Sequence, residues 1–237
     1  MWTRKELKEK AQITFRKNYW VSIVAALVIG VFTGASSSSA GRNASNSSSN
    51  NGDYNGLGGI AGIIALAAVL VTLIIVLVSL AIKIVIGNAL IVGSERVFIG
   101  NEQEAEVPRF TTIVSIFSEG FWKNVALTMF LKDLFTALWT LLLIVPGIVK
   151  SYEYKMIPYL LAENPEMDYH EAFAKSKEMM DGNKMNAFVL DLSFIGWFFL
   201  AALTLGILGV FYVNPYYHQT QAELYLTLKK NNNYNQY

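Results

Sequence analysis

Cysteine is absent from all 237 residues, and histidine occurs only twice. Without thiols the chain can hold no disulfide, no thiolate nucleophile and no cysteine-ligated zinc or iron–sulfur centre. Charge is also scarce: Asp, Glu, Lys and Arg make up 16% of the chain, against about 25% in ordinary soluble domains. The net charge of +1 offers no basic face for nucleic acid, so no nucleic-acid partner is expected. His170-Glu171 lacks the second histidine of a zinc-protease helix. No phosphate-cradling glycine loop, nucleophile elbow or dinucleotide fingerprint occurs. Asp53, Asn55 and Gly56 supply too few carboxylates for a calcium loop. These absences predict a protein that is not an enzyme and carries no metal or cofactor.

What is abundant is apolar surface, at 53% of residues. The run Leu57–Ile82 holds 26 residues without a charge, and about 20 suffice to span a bilayer core. Further apolar stretches cover 19–35, 125–145, 148–162, 187–213 and 212–228. The sequence therefore predicts an all-α membrane bundle of about six transmembrane helices. The stretch from Leu57 to Gly100 is too long for one straight pass and is expected to break near Gly87-Asn88, or to begin with a short outer helix.

Lysine and arginine sort by segment. Residues 1–18, 93–124, 163–186 and 229–230 hold 14 of the 19, which places these segments, and both termini, in the cytoplasm. The long charged N-terminal helix fits an uncleaved anchor better than a signal peptide. Three cytoplasmic segments look alike. Thr3-Arg4-Lys5-Glu6 reads as a capping box, and Asp168 to Glu171 offers the same device. Between them Phe110, Ile113, Val114, Phe117 and Phe121 fall on one helical face. Each amphipathic helix runs into an aromatic and basic junction suited to a membrane interface.

The chain thus reads as one membrane domain of three helical hairpins, about 1–100, 107–164 and 168–228, each preceded by a cytoplasmic amphipathic helix. The outer turns are expected at 36–56, Pro146-Gly147 and 205–209. Residues 36–56, rich in Ser and Asn, are expected to be disordered, and 229–237 to form a flexible tail. Asn164-Pro165 should end a crossing. Pro158 should interrupt a helix at the cost of a hydrogen bond, and Lys150 and Glu153, three apart, should pair.

Ionisable residues at membrane depth are functional candidates. Here they are Lys83, Lys132, Asp133, Glu153, Lys155 and Asp191. Their balance of three positive and three negative charges favours an internal ion-pair network. Matching depths predict a contact between Lys132 and Asp191. His170 is expected in solvent, and His218 in a hydrogen-bonded packing role.

The stretch Val145–Trp197, with "PGI" before a tyrosine-rich helix, "AENPE", the "SKEMMDG" region and "LDLSFIGW", followed by the "LTLGI" turn, resembles a bacterial integral membrane family catalogued as domain of unknown function 975. The resemblance runs from about Lys83 onward. It implies a six-helix membrane protein of a Gram-positive bacterium and brings no catalytic or binding residue with it. The Ser/Asn-rich outer loop departs from the family pattern. The expected function is action through the lipid bilayer and a membrane or cytoplasmic protein partner, in membrane-stress adaptation, bacteriocin protection or as a subunit of a larger assembly. The alternative is a small-molecule or ion transporter with a charged intramembrane site.

Overall fold

The computed structural model describes residues 2–33, 58–103 and 109–234, without the side chains of 32–33, 58–65, 102–103 and 233–234. The expected disordered loop 36–56, with Asp53, Asn55 and Gly56, lies outside the described residues. All regular structure among them is helical. A short helix, an apolar helix and an interrupted helix follow one another three times. The first set is α1 (Arg4–Lys17), α2 (Tyr19–Thr33), then α3 (Gly58–Ile82) running through a π-turn (Lys83–Gly87) into α4 (Asn88–Gln103). The second is α5 (Thr111–Ser118), α6 (Trp122–Leu142) and the pair α7 (Ile144–Glu153) and α8 (Ile157–Glu163). The third is α9 (Tyr169–Met180), the pair α10 (Lys184–Leu192) and α11 (Ile195–Leu203), and a second π-turn (Gly209–Val213) leading into α12 (Asn214–Tyr234).

Local chemistry explains the ends. The Thr3 hydroxyl accepts from the Glu6 amide at 3.3 Å, and the Asp168 carboxylate accepts from His170 N at 2.9 Å, each satisfying a free amide of the first turn. Helix α9 is followed by Gly182 at φ +68°, a conformation that costs a side-chain-bearing residue. Asn164 closes α8 just before Pro165.

Helix α4 occupies the centre, with α2, α5, α6, α8 and α12 around it. The core there is closed by Val97, Phe98, Leu161 and Leu224, all buried. Helix α5 crosses so close that a Cβ on Gly93 would fall 2.0 Å from the Ile113 carbonyl oxygen. Helix α1 packs Leu7, Ala11 and Phe15, four apart, into the bundle and lies along α12. Beside that stripe the Lys8 ammonium stands 4.2 Å over the Phe194 ring. Burial first, and the Arg4 charge second, lower its pKa from 10.5.

Several expectations are corrected. The turn expected at Pro146-Gly147 lies instead at Leu143, which is extended (φ −154°, ψ 131°). Pro146 and Gly147 belong to the first turn of α7, where a missing amide costs nothing. Pro158 likewise stands at the start of α8, so it removes no helical hydrogen bond; the chain is broken just before it, at Tyr154–Met156. On α5 the buried residues are Ile113 and Ile116, while Phe110 and Val114 are half exposed. Phe110 precedes the helix, which starts only at Thr111, and Val114 lies on its exposed side. Residues 229–234 continue α12 as helix rather than forming a tail.

Among the described residues three helical stretches are long and apolar enough to cross a membrane: Leu66–Asn101, Trp122–Leu142 and Lys184–Leu203. Tyr19–Val31 is apolar but shorter.

Candidate functional site

The six candidate residues divide among three clusters. In the first, Asp191 on α10 receives Lys155 Nζ at 2.7 Å and the Tyr152 hydroxyl at 2.8 Å on Oδ2. Its Oδ1 accepts from Gln221 Nε2 at 2.8 Å and the Tyr217 hydroxyl at 3.2 Å. A carboxylate has about four lone-pair sites. Four donors fill them, so Asp191 has no capacity left for a ligand.

The second cluster surrounds Glu153, only 4% exposed. Lys150 Nζ meets Oε1 at 2.8 Å, as its spacing predicted, and Lys184 Nζ meets Oε2 at 2.9 Å. The backbone is tied at the same residue: the Ser176 hydroxyl donates to the Glu153 carbonyl at 2.7 Å and accepts from Met156 N at 3.2 Å. These bonds hold the ends of the turn between α7 and α8 against α9.

The third cluster lines a cavity of about 400 Å³ between α2, α4, α6, α8 and α12. It gathers Lys83, Lys132 and Asp133, and adds Glu95 and His218. Lys132 Nζ pairs with Asp133 at 3.2 Å, so the expected Lys132–Asp191 contact does not form. His218 Nδ1 stands 3.1 Å from Glu95 Oε1, and the imidazole stacks on Phe98 at 5.6 Å. This is the hydrogen-bonded role expected for His218. His170 is exposed and stands against Tyr169. Lys83 makes no ion pair to any described residue.

The π-turn explains how Lys83 reaches this cavity. Asn88, Ile91 and Glu95 are three and four apart on one face of α4. Lys83 is five before Asn88 and would point elsewhere on a regular helix of 3.6 residues per turn. The wider i→i+5 turn absorbs the extra residue and brings Lys83 onto the same lining.

Sequence reasoning missed Glu95 because it sits beside Arg96 in a segment assigned to the cytoplasm. Arg96 is engaged elsewhere, with Glu119 Oε1 at 2.6 Å and the Ala162 carbonyl at 2.7 Å. The apolar surroundings of Glu95 in IVGSERVFIG were the available signal. A buried amide cluster was missed as well. Asn18 Nδ2 donates to Asn101 Oδ1 at 2.9 Å, and Asn101 Nδ2 donates to Ser22 Oγ and to Gln219 Oε1. Uncharged amides in polar junctions carry no signal of burial.

Among the described residues no group of three His, Asp or Glu side chains is placed to hold a metal ion. Neither a curated protein nor a solved structure matches the chain. One family model does match, described as Protein of unknown function (DUF975), over residues 140–232. That span holds α7 to α11 and most of α12, including the Asp191 and Glu153 clusters, and over it the resemblance to the domain of unknown function 975 family holds.

Proposed function

We propose that the chain is a non-enzymatic, multi-pass protein of the bacterial cell membrane that works through the bilayer and a protein partner. In this reading six crossings form three hairpins, both termini are cytoplasmic, and the molecule serves as a subunit of a larger membrane assembly.

The observation that carries the reading is the bare helix α3. Val69, Leu70, Val71, Leu73, Ile75 and Val76 point in all directions around it, and each is more than half exposed. Fully burying one such side chain is worth about 1.5–3 kcal/mol in water, so a row of them is costly in an aqueous protein. Acyl chains remove that cost. The 25 residues of α3 extend about 37 Å at 1.5 Å per residue, enough for a hydrocarbon core of about 30 Å. Because α3 meets the described bundle at the π-turn end, a partner helix can approach it from several sides.

Topology is tested with single cysteines at Lys5, Ser38 and Glu178, treated with a membrane-impermeant thiol reagent. In intact cells Ser38→Cys is expected to label, and the other two only after lysis. A photo-crosslinker at Leu77 is expected to give a discrete protein adduct in the membrane fraction. Release of the protein by alkaline carbonate, or labelling at Lys5→Cys with Ser38→Cys silent, would overturn the reading. The charged cavity favours the second reading, a small-molecule transporter.

A further inference from the structure

We propose that the cavity between α2, α4, α6, α8 and α12 is a binding site for a small zwitterion, a molecule carrying an ammonium and a carboxylate or phosphate. Two groups of opposite sign with bonding capacity to spare face it, the exposed Lys83 ammonium and one carboxylate oxygen of Glu95. Lys83 has no counter-charge among the described residues. Glu95 is 4% exposed, and its Oε2 takes no hydrogen bond although the Tyr159 phenol lies close by. A buried acceptor left unmade is costly, and a donor supplied from the cavity would remove that cost.

The two groups cannot satisfy each other easily. They stand twelve residues apart on one continuous helix, about 18 Å along its axis at 1.5 Å per residue. The other contacts in the cavity are already made, Lys132 with Asp133 at 3.2 Å and Glu95 Oε1 with His218 Nδ1 at 3.1 Å. A simple anion would leave Glu95 Oε2 bare, and a simple cation would meet Lys83 and Lys132. A zwitterion answers both: its anionic end binds Lys83, with Lys132 close by, and its ammonium donates to Glu95. The volume of about 400 Å³ lies within the range of small-molecule pockets. Asn88, 3% exposed, lines the wall between the two ends and offers an amide to either.

The same chemistry is found in a free amino acid and in a phosphoethanolamine lipid headgroup. The site goes beyond the partner reading and relies on it only for the bilayer setting. Loss of binding with normal insertion and crosslinking counts against the site alone.

The test uses the full chain in detergent, with glycine and phosphoethanolamine as probes and ethylamine and acetate as single-charge controls, read by calorimetry and thermal shift. A zwitterion is expected to bind and raise Tm, while neither control does so. Lys83→Gln should weaken binding about tenfold, the loss of roughly one charge-assisted hydrogen bond, with the Tm of the free protein unchanged. Glu95→Gln should weaken binding similarly; if it fails to fold, the Lys83 variant alone decides. Nanodiscs with and without phosphatidylethanolamine separate the sources. Competition between that lipid and phosphoethanolamine identifies the headgroup, and binding of glycine regardless of lipid identifies the free molecule. Acetate binding as well as glycine, no binding by either zwitterion, or unchanged affinity in Lys83→Gln would overturn the proposal.

Discussion

Lys155 Nζ lies 2.7 Å from Asp191 Oδ2, and the bond joins the break between α7 and α8 to the last turn of α10. Lys155 belongs to the three-residue turn Tyr154–Met156, where the helix supplies fewer of its own hydrogen bonds. The ion pair and the Tyr152 hydroxyl on the same oxygen hold that turn in place. Both side chains are less than a quarter exposed, so solvent screens the pair only weakly.

Removing one partner of a buried pair costs about 3–5 kcal/mol in soluble proteins. Asp191→Leu and Lys155→Met are each expected to lower stability markedly, and the double variant to lose less than the sum. A double-mutant cycle on thermal unfolding in detergent reads the coupling. Lys132→Met with Asp191→Leu serves as the control and should be additive. Coupling in the control and none in the pair would place the partners wrongly.

Ser176 has no exposed surface and is bonded to both ends of the same turn. Ser176→Ala leaves the Met156 amide and the Glu153 carbonyl without it, a loss of about 1–3 kcal/mol for buried groups left unpaired. Hydrogen exchange localised to 153–157 should accelerate. A variant with unchanged stability and exchange would show that water or a rearranged turn replaces the hydroxyl.

Gly93→Ala drives a methyl into the Ile113 carbonyl at 2.0 Å, and backbone cannot rotate away as a side chain can. Overpacking of this kind costs about 1–3 kcal/mol. Gly30→Ala on α2 meets nothing within 4 Å and is expected to be neutral or slightly stabilising. Equal effects of the two on the unfolding midpoint would contradict the close crossing of α4 and α5.

Much of the helical punctuation was legible because caps and turns act within a few residues, although Pro146-Gly147 and Pro158 proved to open helices rather than to break them. Thr3, Asp168, Asn164 and the turn at Leu205, where φ is +52°, could all be placed from local chemistry. Side-chain partners could not be placed the same way. Counting residues fixes how deep Lys132 and Asp191 sit but not which way each helix is rotated. Helix α10 faces α7, whereas the Lys132 region of α6 meets the π-turn below α4, so the two residues look toward different neighbours. The π-turn at 83–87 adds a second obstacle, since one extra residue changes the face of everything before it. That is why Lys83 lines the same cavity as Glu95, a placement no regular helical wheel would suggest.

Helix α12 contributes His218 to Glu95, Gln219 to Asn101, Gln221 and Tyr217 to Asp191, and Tyr225 to Glu163. A ribosome makes this chain from the other end. Glu95, Asn101, Glu163 and Asp191 are therefore all translated before those α12 partners exist, and polar groups taken out of water short of their full set of hydrogen bonds are expensive. During synthesis the earlier helices must stay loosely assembled, admit water, or borrow a chaperone until the last one arrives. Release of a nascent chain ending before residue 214 would leave these groups short of the donors and acceptors that α12 brings, a signature that quality-control proteases are suited to recognise.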